Sequence, residues 1–258
     1  MPRIYMVQHP GCEPRVHPTS GVCPENTSGH HKRKFMQASG DYVDSATLSL
    51  QRNKQFRFWG EYEMESMYMC NTKPPFYGHC NPFAVHMPIY PRTKAKYINT
   101  DPLVFGERFY YSCCHFPKNT LTKGDVVLFG TYFGANYNEF HLDTFFIVKD
   151  TILISTLRKV NKLFDMCTPL KYKTPQKFAY EAIMYTDGLD YFSFVPCKPK
   201  PYFFGRPVIK DWKDLRTLSS THDVFNEVVN QIKGQQFDLG VRLDVPPTSV
   251  SIPFPLIP

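Results

Sequence analysis

The run RIYMVQ (residues 3–8) opens the chain with apolar and β-favouring side chains. It predicts a short strand that stops at His9-Pro10-Gly11-Cys12-Glu13. From residue 9 to residue 44 no period of 2 or 3.6 is sustained, and Pro10, Pro14, Pro18 and Pro24 interrupt it. This predicts a long irregular region that also carries the densest basic cluster of the chain. ATLSL (46–50) and QFRFWGEYE (55–63) read as the two arms of a hairpin, with Phe56 and Phe58 toward the core. Arg57, Trp59 and Glu61 would share the other face, with Gly60 a candidate bulge. RFYYS (108–112) predicts another strand.

The clearest pattern is LTKGDVVLFGTYF (121–133) followed by EFHLDTFFIVKD (139–150). A Lys123-Gly124-Asp125 turn enters a strand at 126–133, and a polar loop returns the chain into a second at 140–148. In the second strand, simple alternation puts Phe140, Leu142, Thr144, Phe146 and Val148 on one face. His141, Asp143, Phe145 and Ile147 take the other. Helices are expected late. TPQKFAYEAIMY (174–185) offers Thr174 as N-cap and Pro175 at the first position. STHDVFNEVVNQIKG (220–234) aligns Val224, Phe225, Val228, Val229 and Ile232 on one stripe.

Composition narrows the fold class. The 258 residues include 22 Phe, 16 Tyr and 23 Pro, so the aromatic content suits strands while proline disfavours long helices. The expectation is a single α+β domain over residues 1–258. It is β-rich, with a mixed or antiparallel curled sheet, long ordered loops and two or three peripheral helices. Residues 241–258 are expected as a proline-rich tail packed on the body. The eight cysteines include no C-x-x-C pair, and no apolar run reaches membrane-spanning length. With no signal-like N-terminal run, a cytoplasmic protein with reduced thiols and no membrane partner is expected. Cys113-Cys114-His115 and His79-Cys80 match no standard zinc spacing, so neither metal nor cofactor is expected.

No G-x-G-x-x-G, P-loop, G-x-S-x-G or H-E-x-x-H motif is present. The segment KGDVVLFGTYFGANYNEFHLDTFFIVKD (123–150) resembles part of the PUA-like domains. That group includes the EVE, ASCH and YTH branches and nucleotide-modification-associated domains, in which a Gly-Asp turn leads an apolar strand into a small barrel. The resemblance covers roughly a tenth of the chain. It implies a mixed β-barrel with an aromatic-lined pocket for a nucleobase, and it transfers no individual residue.

Candidate chemistry gathers at four places. Asp143 is a carboxylate in an apolar strand, which requires a partner. Either it bonds loop N–H groups or an arginine such as Arg57 or Arg108, or it serves as a pocket acid or base-edge acceptor, with His141 on its face. Arg57 and Trp59 suit hydrogen bonding plus stacking of a base, with Phe129 as a second stacking ring. Lys32, Arg33 and Lys34, after His30-His31, read either as a phosphate-contacting loop or as a solvated charge run. His9 and Glu13, at the end of the first strand, form either a turn or an acid–base pair assisted by Glu61.

The formal charge of +7 fits a polyanionic partner. The leading expectation is therefore a protein that binds a nucleotide or nucleic acid. The alternatives are an enzyme acting on such a molecule through His9 and Glu13, and a scaffold contacting a protein partner through the C-terminal tail.

Overall fold

The computed structural model describes residues 1–8, 22–23, 33–71, 84–94, 99–112, 121–132, 139–168, 177–199 and 205–249. The strands among the described residues are, in chain order, β1 (Ile4–Gln8), β2 (Val22–Cys23), β3 (Arg33–Val43), β4 (Leu50–Glu61), β5 (Ser66–Asn71), β6 (Ala84–Pro88), β7 (Tyr110–Tyr111), β8 (Val126–Tyr132), β9 (Glu139–Leu153), β10 (Phe178–Ala182), β11 (Val195–Lys198), β12 (Val208–Lys210) and β13 (Asp238–Leu243). Three α-helices accompany them: α1 (Ile154–Val160), α2 (Lys162–Cys167) and α3 (Thr221–Gly234). Two mixed sheets result, so the protein is β-rich with few helices, as its aromatic and proline content implies. None of the described helices is long and apolar enough to cross a membrane.

The first sheet runs β1-β8-β9-β10-β7, with β12 also on β9. Its centre is the β8–β9 hairpin expected from the sequence. Asp125, in the Gly-Asp turn, explains why β1 lies parallel to β8. Its carboxylate accepts Arg3 N–H at 3.0 Å, Arg3 Nη2–H at 2.5 Å and Thr122 N–H at 2.8 Å. The edge of β9 away from β8 is satisfied in turn by β12, by a bridge from Phe194 and by β10.

That edge explains a correction. Residues 174–185 read as a helix, but Phe178–Ala182 form a strand between β9 and β7. The N–H and C=O groups of β9 beyond the reach of β8 need partners, and this requirement outweighs a weak helix propensity. Thr174 and Pro175 lie outside the described residues.

The second sheet runs β13-β11-β4-β3-β6-β5-β2, and β13 also pairs β3. Pairings therefore form a circuit through β3, β4, β11 and β13. Here too the sequence reading needs correcting. Residues 33–43, placed in the irregular region, form the long strand β3. Gln51-Arg52-Asn53-Lys54, taken as a turn, lie inside β4, and the real hairpin turn is 44–49. The β3–β4 register shifts between Gly40 and Tyr42, not at Gly60. Of the C-terminal segment, residues 241–243 complete β13, after which Asp244 N–H bonds Ser39 O and Pro247 O accepts from Tyr90 N–H.

Two cores flank the first sheet. One, containing Val127, Phe129, Phe146 and Val148, joins it to Phe56 and Phe58 of the second and to Tyr62 just past the end of β4. The other holds Val126, Leu128, Phe145 and Ile147 with Val224, Phe225, Val228 and Ile232 of α3. The apolar stripe expected for α3 faces this core, and the helix start is capped: Ser220 Oγ accepts Asp223 N–H at 3.1 Å and donates to its carboxylate at 2.7 Å.

Candidate functional site

The faces of β9 do not follow simple alternation. Phe129 pairs with Thr144 but Gly130 pairs with Leu142, so Asp143 is an extra residue, a β-bulge. Phe140 and Leu142 consequently share a core with Phe145 and Ile147 rather than with Phe146 and Val148. Gly130 permits the kink. A Cβ there would lie 2.2 Å from His141 O and 2.5 Å from the Phe140 ring.

Asp143, displaced from the ladder, meets two arginines. It forms an ion pair with Arg33, and its Oδ1 lies 3.3 Å from Arg206 Nε. The side chains of Asp143 and Arg33 are 2% exposed and that of Arg206 is 5% exposed. Removing such a carboxylate would leave buried cations, a change that costs about 3–5 kcal/mol. The expected arginine partners, Arg57 and Arg108, are not the ones used. Arg108 bonds Asp187 and pairs Glu181, and Arg57 donates Nε–H to Gln37.

Arg206 also reaches an aromatic face. Its guanidinium carbon is 4.2 Å from the centre of the Trp59 ring. Trp59 and Phe35 are register partners on β4 and β3, their rings 5.4 Å apart, and Val85 completes this small cluster. Trp59 is buried, not on an open face, and Glu61 is buried with it. Both sides of β4 are covered here, so alternation did not separate core from surface.

Beside Trp59 lies a cavity of about 10 Å³, lined by Phe35, Trp59, Leu142, Pro207, Arg57 and Lys198, among others. That is about the room of one water molecule. Arg57 and Lys198 stand directly opposite each other on β4 and β11, both half-buried.

Two further polar assemblies are interior. Lys34 Nζ donates to Met64 O at 2.7 Å and to Ser66 Oγ at 3.0 Å, and Ser66 Oγ lies 3.0 Å from His86 Nδ1. Burial, aided by the Lys34 charge, pushes His86 down to about 2. Glu61 accepts Asp101 N–H at 3.1 Å, and Asp101 accepts the N–H and the hydroxyl of Ser112. Among the described residues, no group of three or more His, Cys, Asp or Glu is placed to hold a metal ion.

The structure thus joins Trp59 and Asp143, through Arg206, and sets Arg57 at the edge. His141, register partner of Thr131 and Val208, is half-buried and held below its ordinary pKa by burial and by Arg206. Phe129 is not in this cluster; it packs edge-on against Tyr111 and Phe146 in the main core. Arg33 and Lys34 are a correction: 1% and 2% exposed, they are inward-facing strand residues, not a phosphate-contacting loop. The cost of burying them is offset by Asp143 and by Ser66 with Met64 O. His9, Glu13 and Lys32 lie outside the described residues, as do Cys113, Cys114, His115, His79 and Cys80. Arg206, Phe35 and Lys198 escaped sequence reasoning. The one available signal was the buried acid itself, which required a cation without saying which.

Compared with family models, curated proteins and solved structures, the chain matches none.

Proposed function

We propose that this protein binds a nucleobase, of a nucleotide or of a nucleic acid, on the face of Trp59 that Arg206 covers, the base taking the place of the guanidinium because the cavity beside the ring holds only about one water. The binding body would be a small PUA-like barrel that includes the β8–β9 hairpin, whose sequence carries the resemblance. The observation that carries the reading is the guanidinium of Arg206 lying 4.2 Å over Trp59 while its Nε reaches Asp143. Tryptophan and guanidinium planes are the surfaces on which splayed bases stack, and a fixed carboxylate accepts from base N–H groups. The net charge of +7 favours a polyanion, and the Gly-Asp turn at Gly124-Asp125 adds the PUA-like resemblance.

Titration with nucleosides, nucleoside monophosphates and short single-stranded RNA and DNA, read by tryptophan fluorescence in a Trp212→Phe background, tests this. Saturable quenching is expected that weakens with salt for the phosphorylated ligands, is lost in Trp59→Leu and leaves the ligand chemically unchanged. Absence of binding to any of these probes, or binding that Trp59→Leu and Asp143→Asn leave intact, overturns the reading. Turnover of the ligand would replace it with an enzyme acting on nucleotides.

A further inference from the structure

The chain's positive charge is unevenly spread. Residues 151–177 hold six Lys or Arg against one acid, Asp165, and so carry five of the seven net charges. Of these, Lys171 and Lys173 lie outside the described residues. The others gather at the C-terminal end of β9. That strand runs directly into α1, Phe178 is the register partner of Leu153, and Ile154 N–H bonds Lys177 O at 3.0 Å. Lys159 lies on α1, and Lys162 opens α2.

The acid of this stretch is already engaged. Asp165 is paired by Lys94 and, at 3.6 Å, by Arg158, whose guanidinium also donates to Thr168 O. Among the described residues, Lys159, Lys162 and Lys177 have no acidic partner, and all three are exposed. α1 buries Ile154 and Leu157 against the body, so Ser155, Thr156 and Lys159, neighbours at helical spacing, face solvent. Beside them Leu153 is 50% and Phe178 45% exposed. Uncompensated lysines with two hydroxyls suit a row of phosphates, and an exposed ring next to Lys177 suits a stacked base. A bilayer would need a broad apolar face, but the core takes the apolar side of α1 and leaves only Leu153, Val160 and Phe178 outside it in this region.

We infer that this end of the first sheet, with Ser155, Thr156, Lys159, Lys162, Lys177 and Phe178, binds the backbone of a single-stranded nucleic acid. Leu153 is ten residues from Asp143 along β9 (153 − 143), about 33 Å at the rise of a strand. A mononucleotide at Trp59 does not reach that far, whereas a strand of roughly ten nucleotides does. The ligand is then a polymer rather than a free nucleotide, an inference that rests on the base-binding reading above for its class of partner. The surface is tested apart from the Trp59 site. Fluorescence anisotropy of labelled oligo(dT) and oligo(U), of about 5, 10 and 20 nucleotides, is followed between about 50 and 200 mM salt. Nucleoside quenching of Trp59 is measured on the same proteins.

Affinity of the wild type should rise with probe length. Lys159→Gln/Lys162→Gln/Lys177→Gln should weaken the longest probes at least about tenfold and lower the salt slope by about 2, at about 0.7 per phosphate contact. Phe178→Ser should weaken them about fivefold with the slope unchanged. Lys54→Gln/Lys123→Gln/Lys233→Gln removes the same charge from exposed positions elsewhere and should change affinity less than about threefold. Equal loss in the two triple variants, or none in either, overturns the surface, and nucleoside quenching that persists then leaves the base pocket standing. Lysine-dependent oligonucleotide binding without nucleoside quenching supports the surface and overturns the pocket. Lysine-dependent binding to phosphatidylserine vesicles, with no oligonucleotide bound, overturns the inference in favour of a membrane. No response to any probe overturns both surface and pocket.

Discussion

Arg206 and Trp59 are stacked with 4.2 Å between the guanidinium carbon and the ring centre, and the same guanidinium group reaches the Asp143 carboxylate through Nε at 3.3 Å. One side chain therefore closes an aromatic face and helps neutralise a buried acid. The two tasks need different properties, a flat delocalised cation for the ring and a directed N–H for the carboxylate, and arginine alone combines them.

Arg206→Lys separates these properties. The charge survives, but the plane and the fork do not. The substitution should lower stability by about 1–2 kcal/mol, in the range of a desolvated cation–π contact. Arg206→Ala should cost more, because Asp143 then keeps only Arg33. Urea midpoints of the two variants test the order. An Arg206→Lys protein as stable as the wild type would mean that the stack contributes nothing beyond its charge.

His86 predicts a pH dependence. Its folded-state pKa of about 2 lies below the ordinary 6.5, because a charged imidazole would be desolvated beside Lys34. The unfolded chain therefore binds a proton that the folded chain refuses. This contribution is fully present above about pH 6.5 and is lost as the pH falls toward 2, at up to about 1.4 kcal/mol per pH unit. In His86→Asn, which keeps a polar but non-titrating group beside Ser66, that slope should disappear. Equal slopes for both proteins between pH 6.5 and 5, from urea titrations at each pH, would refute the assignment.

The legible parts of the fold were those where one signal decided the outcome. The β8–β9 hairpin has a Gly-Asp turn and two apolar runs, and α3 has a reciprocal cap and a complete stripe. Phe178–Ala182 was misread because its state depends on the open edge of β9, a tertiary fact. α1 and α2, of 7 and 6 residues, are under two turns and show no resolvable period. In the candidate site, Trp59 and Asp143 stood out by residue type, a rare aromatic and an acid in an apolar strand. Their link did not, because Arg206 is 63 residues from Asp143 along the chain (206 − 143) and sits in Gly205-Arg206-Pro207, where no periodic pattern marks it. Arg33 and Lys34 misled for the converse reason: a charge run predicts solvent unless buried partners are known.

The bulge at Asp143 supplies the last prediction. If Gly130 exists to let β8 pass over His141 O and the Phe140 ring, a methyl group there must push one strand away. The approaches of 2.2 and 2.5 Å are to backbone and to a packed ring, neither able to swing aside. Gly130→Ala should therefore destabilise by about 1–3 kcal/mol or more. Gly234→Ala, at the end of α3 with nothing within 4 Å of its Cβ, is the matched control. It should be neutral or stabilising by up to about 1 kcal/mol, through the unfolded chain. Because the kink aims Asp143 at Arg33 and Arg206, Gly130→Ala should also weaken any ligand that depends on Asp143, while Gly234→Ala should not. Equal urea midpoints for the two variants would mean that the strands relax around the methyl group and that Gly130 does not set the bulge.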